Sequence, residues 1–147
     1  MARFQDMLTR GQNGNFLPIT VGDGVELSIQ GSESHYSSPR FNCEFFSVYQ
    51  EMEMAIFRDG AWATLTQEAQ ARLGCRDEGI YRGSQTTVFP YIPVDTIQAV
   101  FDAIAADPSI VISISESVSE RGLCLPEPEE SGGYTPGLTT GYSTRFL

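Results

Sequence analysis

The sequence predicts an α+β domain: an antiparallel sheet with one or two helices packed on one face, and extended N- and C-terminal arms. Three observations lead there. Asp-Gly pairs at Asp23-Gly24 and Asp59-Gly60 each stand between segments rich in strand formers, a signal for tight antiparallel hairpins. A helical apolar stripe, Val94, Ile97, Phe101 and Ile104, comes only in the second half of the chain. Strands that precede helices, rather than alternating with them, fit a segregated α+β layout.

The elements follow in order. Residues 1–15 are polar, contain Gly11 and Gly14, and read as an N-terminal arm. The domain spans 16–121 and opens with a strand over "FLPITV". After the first Asp-Gly turn, "VELSIQ" alternates Val25, Leu27 and Ile29 with Glu26, Ser28 and Gln30, a strand with one wet face. "SVYQEMEMAIF" alternates again, placing Val48, Met52, Met54 and Ile56 on one side and Tyr49, Glu51, Glu53 and Phe57 on the other. The second Asp-Gly turn returns the chain as "AWATL". Thr64 is the expected cap of a short helix over "TQEAQARL", with Gln67 completing a capping box and Gly74 at the left-handed end.

"CRDEGIYRGSQTT" reads as a surface loop, and 88–108 as the clearest helix, stopped by Asp107-Pro108. In "SIVISISESVS", Ile110, Ile112 and Ile114 alternate with serines and predict a strand. Residues 122–147 are rich in Pro, Gly, Ser and Thr and read as a C-terminal tail with Tyr134, Tyr142 and Phe146 as spaced anchors.

Composition excludes several functions. The 147 residues carry 19 acidic and nine basic side chains, for a net charge of −10. All the basic ones are arginine, and the excess of acid disfavours a positive stripe for direct nucleic-acid binding. No apolar run is long enough to span a bilayer, and the N-terminus lacks the apolar region of a secretion signal; a cytosolic, membrane-free protein is expected. Cys43, Cys75 and Cys124 are widely spaced and read as small buried apolar residues. One histidine and no C-x-x-C or H-E-x-x-H leave no metal site, and the glycine turns complete neither phosphate-binding fingerprint. No cofactor and no catalytic residue is expected. The competing enzymatic reading pairs His35 with Ser37 or Ser38, but no G-x-S-x-G elbow supports it.

Binding asks less of the sequence. "GSESHYSSPR" gathers hydroxyls, an aromatic ring and an arginine at Tyr36, Ser37, Ser38 and Arg40, a set that suits a small anion through guanidinium forks and hydroxyl bonds. Arg82 and Tyr91 are the expected partners from later in the chain; Arg76 and Tyr81 are further candidates. The plainer alternative is a serine turn fixed by Pro39.

Two stretches, "LSIQGSESHYSSPR" and "TTVFPYIPVDTIQAVFDAI", together resemble a family of small, mostly uncharacterised tailed-bacteriophage and prophage proteins with an S-x-x-H-Y-[CS]-S-P-R-like loop before a Y-x-Y-[VI]-P-V segment. Tyr36, Ser38, Pro39, Arg40, Tyr91, Pro93 and Val94 stand at the matching positions, with Phe89 where the pattern has Tyr. The resemblance implies a viral accessory or virion protein. The expectation is a non-enzymatic, homo-oligomeric binding protein in the host cytoplasm that counteracts host defence, by sequestering a small anionic, nucleotide-type signal or by blocking a host defence protein. Arg40 and Arg82 would hold phosphate, Tyr36 and Tyr91 would stack on a base, and Ser37 and Ser38 would bond phosphate or ribose. The alternative is a virion structural protein, a capsid decoration or head–tail component, assembling through its terminal arms.

Overall fold

Two turns lying side by side set the frame of the sheet. Asp23 and Gly24 have φ of 55° and 75°, Asp59 and Gly60 52° and 84°. Both central residues of each turn are thus left-handed, which matches the turn to the twist of its strands. The Asp59 N–H donates to Gly24 O at 2.8 Å, and a Cβ on Gly24 would run into the Asp59 side chain. These turns join β1 (Ile19–Gly22) to β2 (Val25–Gln30) and β3 (Glu51–Arg58) to β4 (Ala61–Leu65). The structure, a computed structural model, describes residues 3–43, 46–80 and 85–122. Tyr81, Arg82, Cys124 and the expected tail from 123 onward lie outside the described residues.

The fold is α+β, with a six-stranded antiparallel sheet and three helices. β3 is its hub. β2 pairs with one edge of β3 from Val25↔Arg58 to Gln30↔Glu53. The other edge holds two strands end to end: β4 through Ile56↔Ala63 and Arg58↔Ala61, and β5 (Phe89–Pro93) through Met52↔Ile92 and Glu51↔Pro93. β6 (Val111–Ser113) closes the sheet beyond β4, and β1 the side beyond β2. As the alternation predicts, Val25, Leu27, Ile29, Met52, Met54 and Ile56 are fully buried.

The start of β3 differs from the expected strand. Val48 is exposed in a 3-10 turn and Tyr49 is buried, because the chain is still turning before Glu51. The Tyr49 ring lies on the backbone of Gly31, where a Cβ would sit 2.8 Å from ring carbons, and its hydroxyl donates to Phe41 O and accepts from the Cys43 N–H.

The expected 88–108 helix divides into β5 and α2 (Val94–Ala106). Pro90 and Pro93 explain the division: each lacks an N–H and disfavours helical backbone in the residue before it. In α2, Ile97, Val100, Phe101 and Ile104 are buried against the sheet, while Val94 is half-buried.

α1 (Gln67–Leu73) is capped by Thr66, whose Oγ1 accepts from the Ala69 N–H at 3.1 Å, and not by Thr64. Gly74 closes it at φ 75°.

The alternation at 109–119 also ends early. Ser113 and Glu116 form a capping box, so the chain leaves β6 directly for α3 (Ile114–Glu120). Ile114 and Val118 pack with Ile80 and Trp62 in a second apolar cluster. Trp62 and Ala63 are neighbours on a strand, so α3 covers the sheet face opposite α2.

At the N-terminus the arm runs along the domain: Phe4 is fully buried and its N–H donates to Gln98 Oε1. Gln30 brackets Phe16, accepting its N–H and donating to its carbonyl. Among the described residues no helix is long and apolar enough to cross a membrane.

Candidate functional site

Register creates the site. On β5, Ile92 pairs with Met52 but Phe89 pairs with Met54, so Pro90 and Tyr91 together stand opposite Glu53. This is a bulge, a device that re-aims a side chain. Tyr91 absorbs the extra residue at φ 52°, a conformation that costs a bulky residue about 1 kcal/mol or more. Its N–H donates to Tyr36 O at 3.0 Å, and the Tyr36 N–H donates in turn to Glu53 Oε2 at 3.2 Å. A loop after β2 and a bulge in β5 are thereby tied together.

The result is a cluster of three expected site residues. The Tyr36 and Tyr91 rings are 5.7 Å apart, and the Arg40 guanidinium lies 5.1 Å over the Tyr36 ring. Arg40 is exposed and makes no ion pair among the described residues. Tyr91 is 43% exposed, whereas Tyr36 is half-buried with its ring already engaged by both partners. Open stacking surface therefore belongs chiefly to Tyr91, and an open guanidinium to Arg40. Neighbouring Phe41 is also exposed.

The two serines act differently from each other. Ser37 is turned inward, 1% exposed; its Oγ donates to Pro39 O at 3.0 Å and accepts from the Ser32 N–H, so it shapes the loop from within. Ser38 is half-buried and pairs through its backbone with β3, its N–H donating to Glu51 O. Arg82 lies outside the described residues. Arg76 lines a separate cavity of about 490 Å³ with Asp77 and Arg121.

His35 does not meet Ser37 or Ser38. Its Nδ1 is 2.6 Å from Ser32 Oγ, which also accepts the Ser34 N–H. No described carboxylate orients the ring, so the serine–histidine pair lacks the third group of a triad.

Sequence reasoning missed a buried polar centre. Asp77, between α1 and β5, accepts both terminal nitrogens of Arg121 at the end of α3, Thr64 Oγ1 at 2.7 Å and Gln70 Nε2 at 3.0 Å. Arg121 Nε reaches Ser117 Oγ. Burial works to raise the Asp77 carboxyl, but the hydrogen bonds from Arg121 and Thr64, the Arg121 charge and Gln70 together hold it below the usual carboxylate range. The same surroundings push the Cys75 thiol up to about 11, by burial first and the Asp77 charge second, so it stays protonated and unreactive at neutral pH. This centre joins β4, α1, the loop at Asp77 and α3.

Among the described residues no three His, Cys, Asp or Glu side chains gather to hold a metal ion. No family model, curated protein or solved structure matches the chain. The functional reading rests on the cluster itself.

Proposed function

We propose that the protein is a non-enzymatic binding protein that sequesters a small anionic ligand with a planar aromatic group, of nucleotide type. One observation carries the reading: a strained bulge holds Tyr91 exposed beside Tyr36 and an unpaired Arg40. Backbone strain at an aromatic residue left 43% exposed favours a use for that ring outside the core. Tyr91 offers a face for a base and Arg40 a fork for phosphate, within reach of one nucleotide-sized ligand. Ser38 stands beside them as a hydroxyl, while Ser37 serves the loop. Tyr91 and Arg40 are exposed, and a second copy closing over them would enclose the ligand, in keeping with a homo-oligomer. With the phage resemblance, this reading gives a phage protein that removes a host defence signal in the host cytoplasm.

Calorimetric titration of the full chain with a panel of mono-, di- and cyclic nucleotides tests the proposal. Saturable binding to one of them is expected, lost in Arg40→Ala and Tyr91→Gly while both variants keep the native melting transition. Absence of binding across the panel, or affinity unchanged in both variants, overturns it and moves the weight to recognition of a host protein by the same aromatic surface.

A further inference from the structure

We infer that the cleft between the 10–15 turn and the 32–35 stretch is a second binding site, for the phosphate or carboxylate group of a small polar ligand. It has a volume of about 470 Å³, the scale of a small-molecule site. Its wall holds the half-buried Arg10, whose guanidinium donates to Gly14 O and Cys43 O and lies 4.3 Å over the Phe16 ring. Those carbonyls fix the group without neutralising it, and no described carboxylate lies within ion-pairing distance. A cation partly removed from water, with no counter-charge among the described residues, favours an anion docked against it. The side chain is already held in place, so little freedom is lost when a ligand binds.

The remaining wall supplies uncharged donors. Asn42 Oδ1 accepts the Glu33 N–H and Asn13 Oδ1 accepts the Asn15 N–H, and neither side-chain NH₂ group has a partner among the described residues. Ser34 adds a hydroxyl. His35 lines the cleft as well, its Nδ1 hydrogen-bonded to Ser32 Oγ at 2.6 Å. Glu33, the one carboxylate lining the cleft, is exposed at its rim and makes no ion pair. One fixed cation among amide and hydroxyl donors suits a single oxyanion group on a hydroxyl- or carbonyl-bearing molecule. This site is independent of the Tyr91 cluster and does not rest on its reading.

The test is a backbone-amide NMR titration of the full chain with inorganic phosphate, and in parallel with sodium acetate, against sodium chloride at matched ionic strength. Saturable shifts of the Ser34, His35 and Asn42 amides with either oxyanion, absent with chloride, are expected. Arg10→Gln should weaken binding about tenfold or more, the scale of a charge-assisted hydrogen bond. Because Arg10 also ties two segments together, Ser34→Glu serves as a second variant: the position is exposed, and the new carboxylate would face Arg10 and displace the anion. Shifts that chloride reproduces, shifts confined to Arg40 and Tyr91, or a folded Ser34→Glu variant that binds phosphate like the native chain would each overturn the inference.

Discussion

Replacing Arg121 with Met should destabilise the protein by about 3–5 kcal/mol at neutral pH, the range for stripping the partner from a buried charge. The Asp77 side chain is 2% exposed and Arg121 13% exposed, so water can replace little of the lost contact. Both guanidinium hydrogen bonds vanish, and the carboxylate keeps only Thr64, Gln70 and the Gly79 N–H. Methionine fills much of the volume, so the loss is one of charge rather than packing. For a chain of this size the melting point should fall roughly 10 °C.

The pH dependence separates this account from a packing defect. In the native protein the folded-state pKa of Asp77 is lowered, so its contribution is complete above the unfolded value of about 3.9 and fades as pH falls through the folded value. In the variant, burial acts on the carboxyl without Arg121 to oppose it, and the group takes up a proton at higher pH. The stability difference should therefore be largest near pH 7 and shrink by about pH 4. Urea unfolding at both pH values, with Asp77→Asn/Arg121→Met as the double variant, measures it. A difference below about 1 kcal/mol at neutral pH, or one constant with pH, would refute the reasoning.

Other substitutions probe the local arguments. Tyr91→Gly relieves a left-handed tyrosine while removing one ring contact, two terms of about 1 kcal/mol each and of opposite sign, so unfolding stability should stay within about 1 kcal/mol of native while any Tyr91-dependent binding is lost. Gly31→Ala drives a methyl into the buried Tyr49 ring and should cost about 1–3 kcal/mol in thermal or urea unfolding. Thr66→Ala should cost about 1 kcal/mol through the lost cap of α1. Thr64→Val should lose a similar amount by a different route, removing a hydrogen bond to Asp77, and coupling to Arg121→Met in a double-mutant cycle would identify it.

Local signals in the chain were read correctly where one physical preference stood alone. Asp-Gly in each turn has few alternatives, and "VELSIQ" maps onto β2 without an offset. Misreadings arose where two signals overlapped. The isoleucine alternation after Ser109 runs into a capping box at Ser113, and the cap wins. The helix expected from residue 88 starts only at Val94, where its apolar stripe begins, because Pro90 and Pro93 disfavour helical backbone in the residues before them and the stretch pairs with β3 instead. Thr64, the cap expected for α1, is buried and committed to Asp77, and Thr66 caps the helix instead. Asp77 and Arg121 are 44 residues apart and nothing local links them. The meeting of Tyr36 with Tyr91 was legible as compatible chemistry, but the bulge that produces it depends on strand register, which the sequence does not display.

The end-to-end arrangement of β4 and β5 on a single edge of β3 makes the intervening residues 66–88 an excursion from one continuous path. The pairing of β4 with β3 ends at Ala63↔Ile56, and that of β5 takes up the same edge at Phe89↔Met54. The stretch that carries α1 and Asp77 is nevertheless tied into the frame by its own contacts: Ala69 and Cys75 enter the main core, and Asp77 fastens it to Thr64 and Arg121.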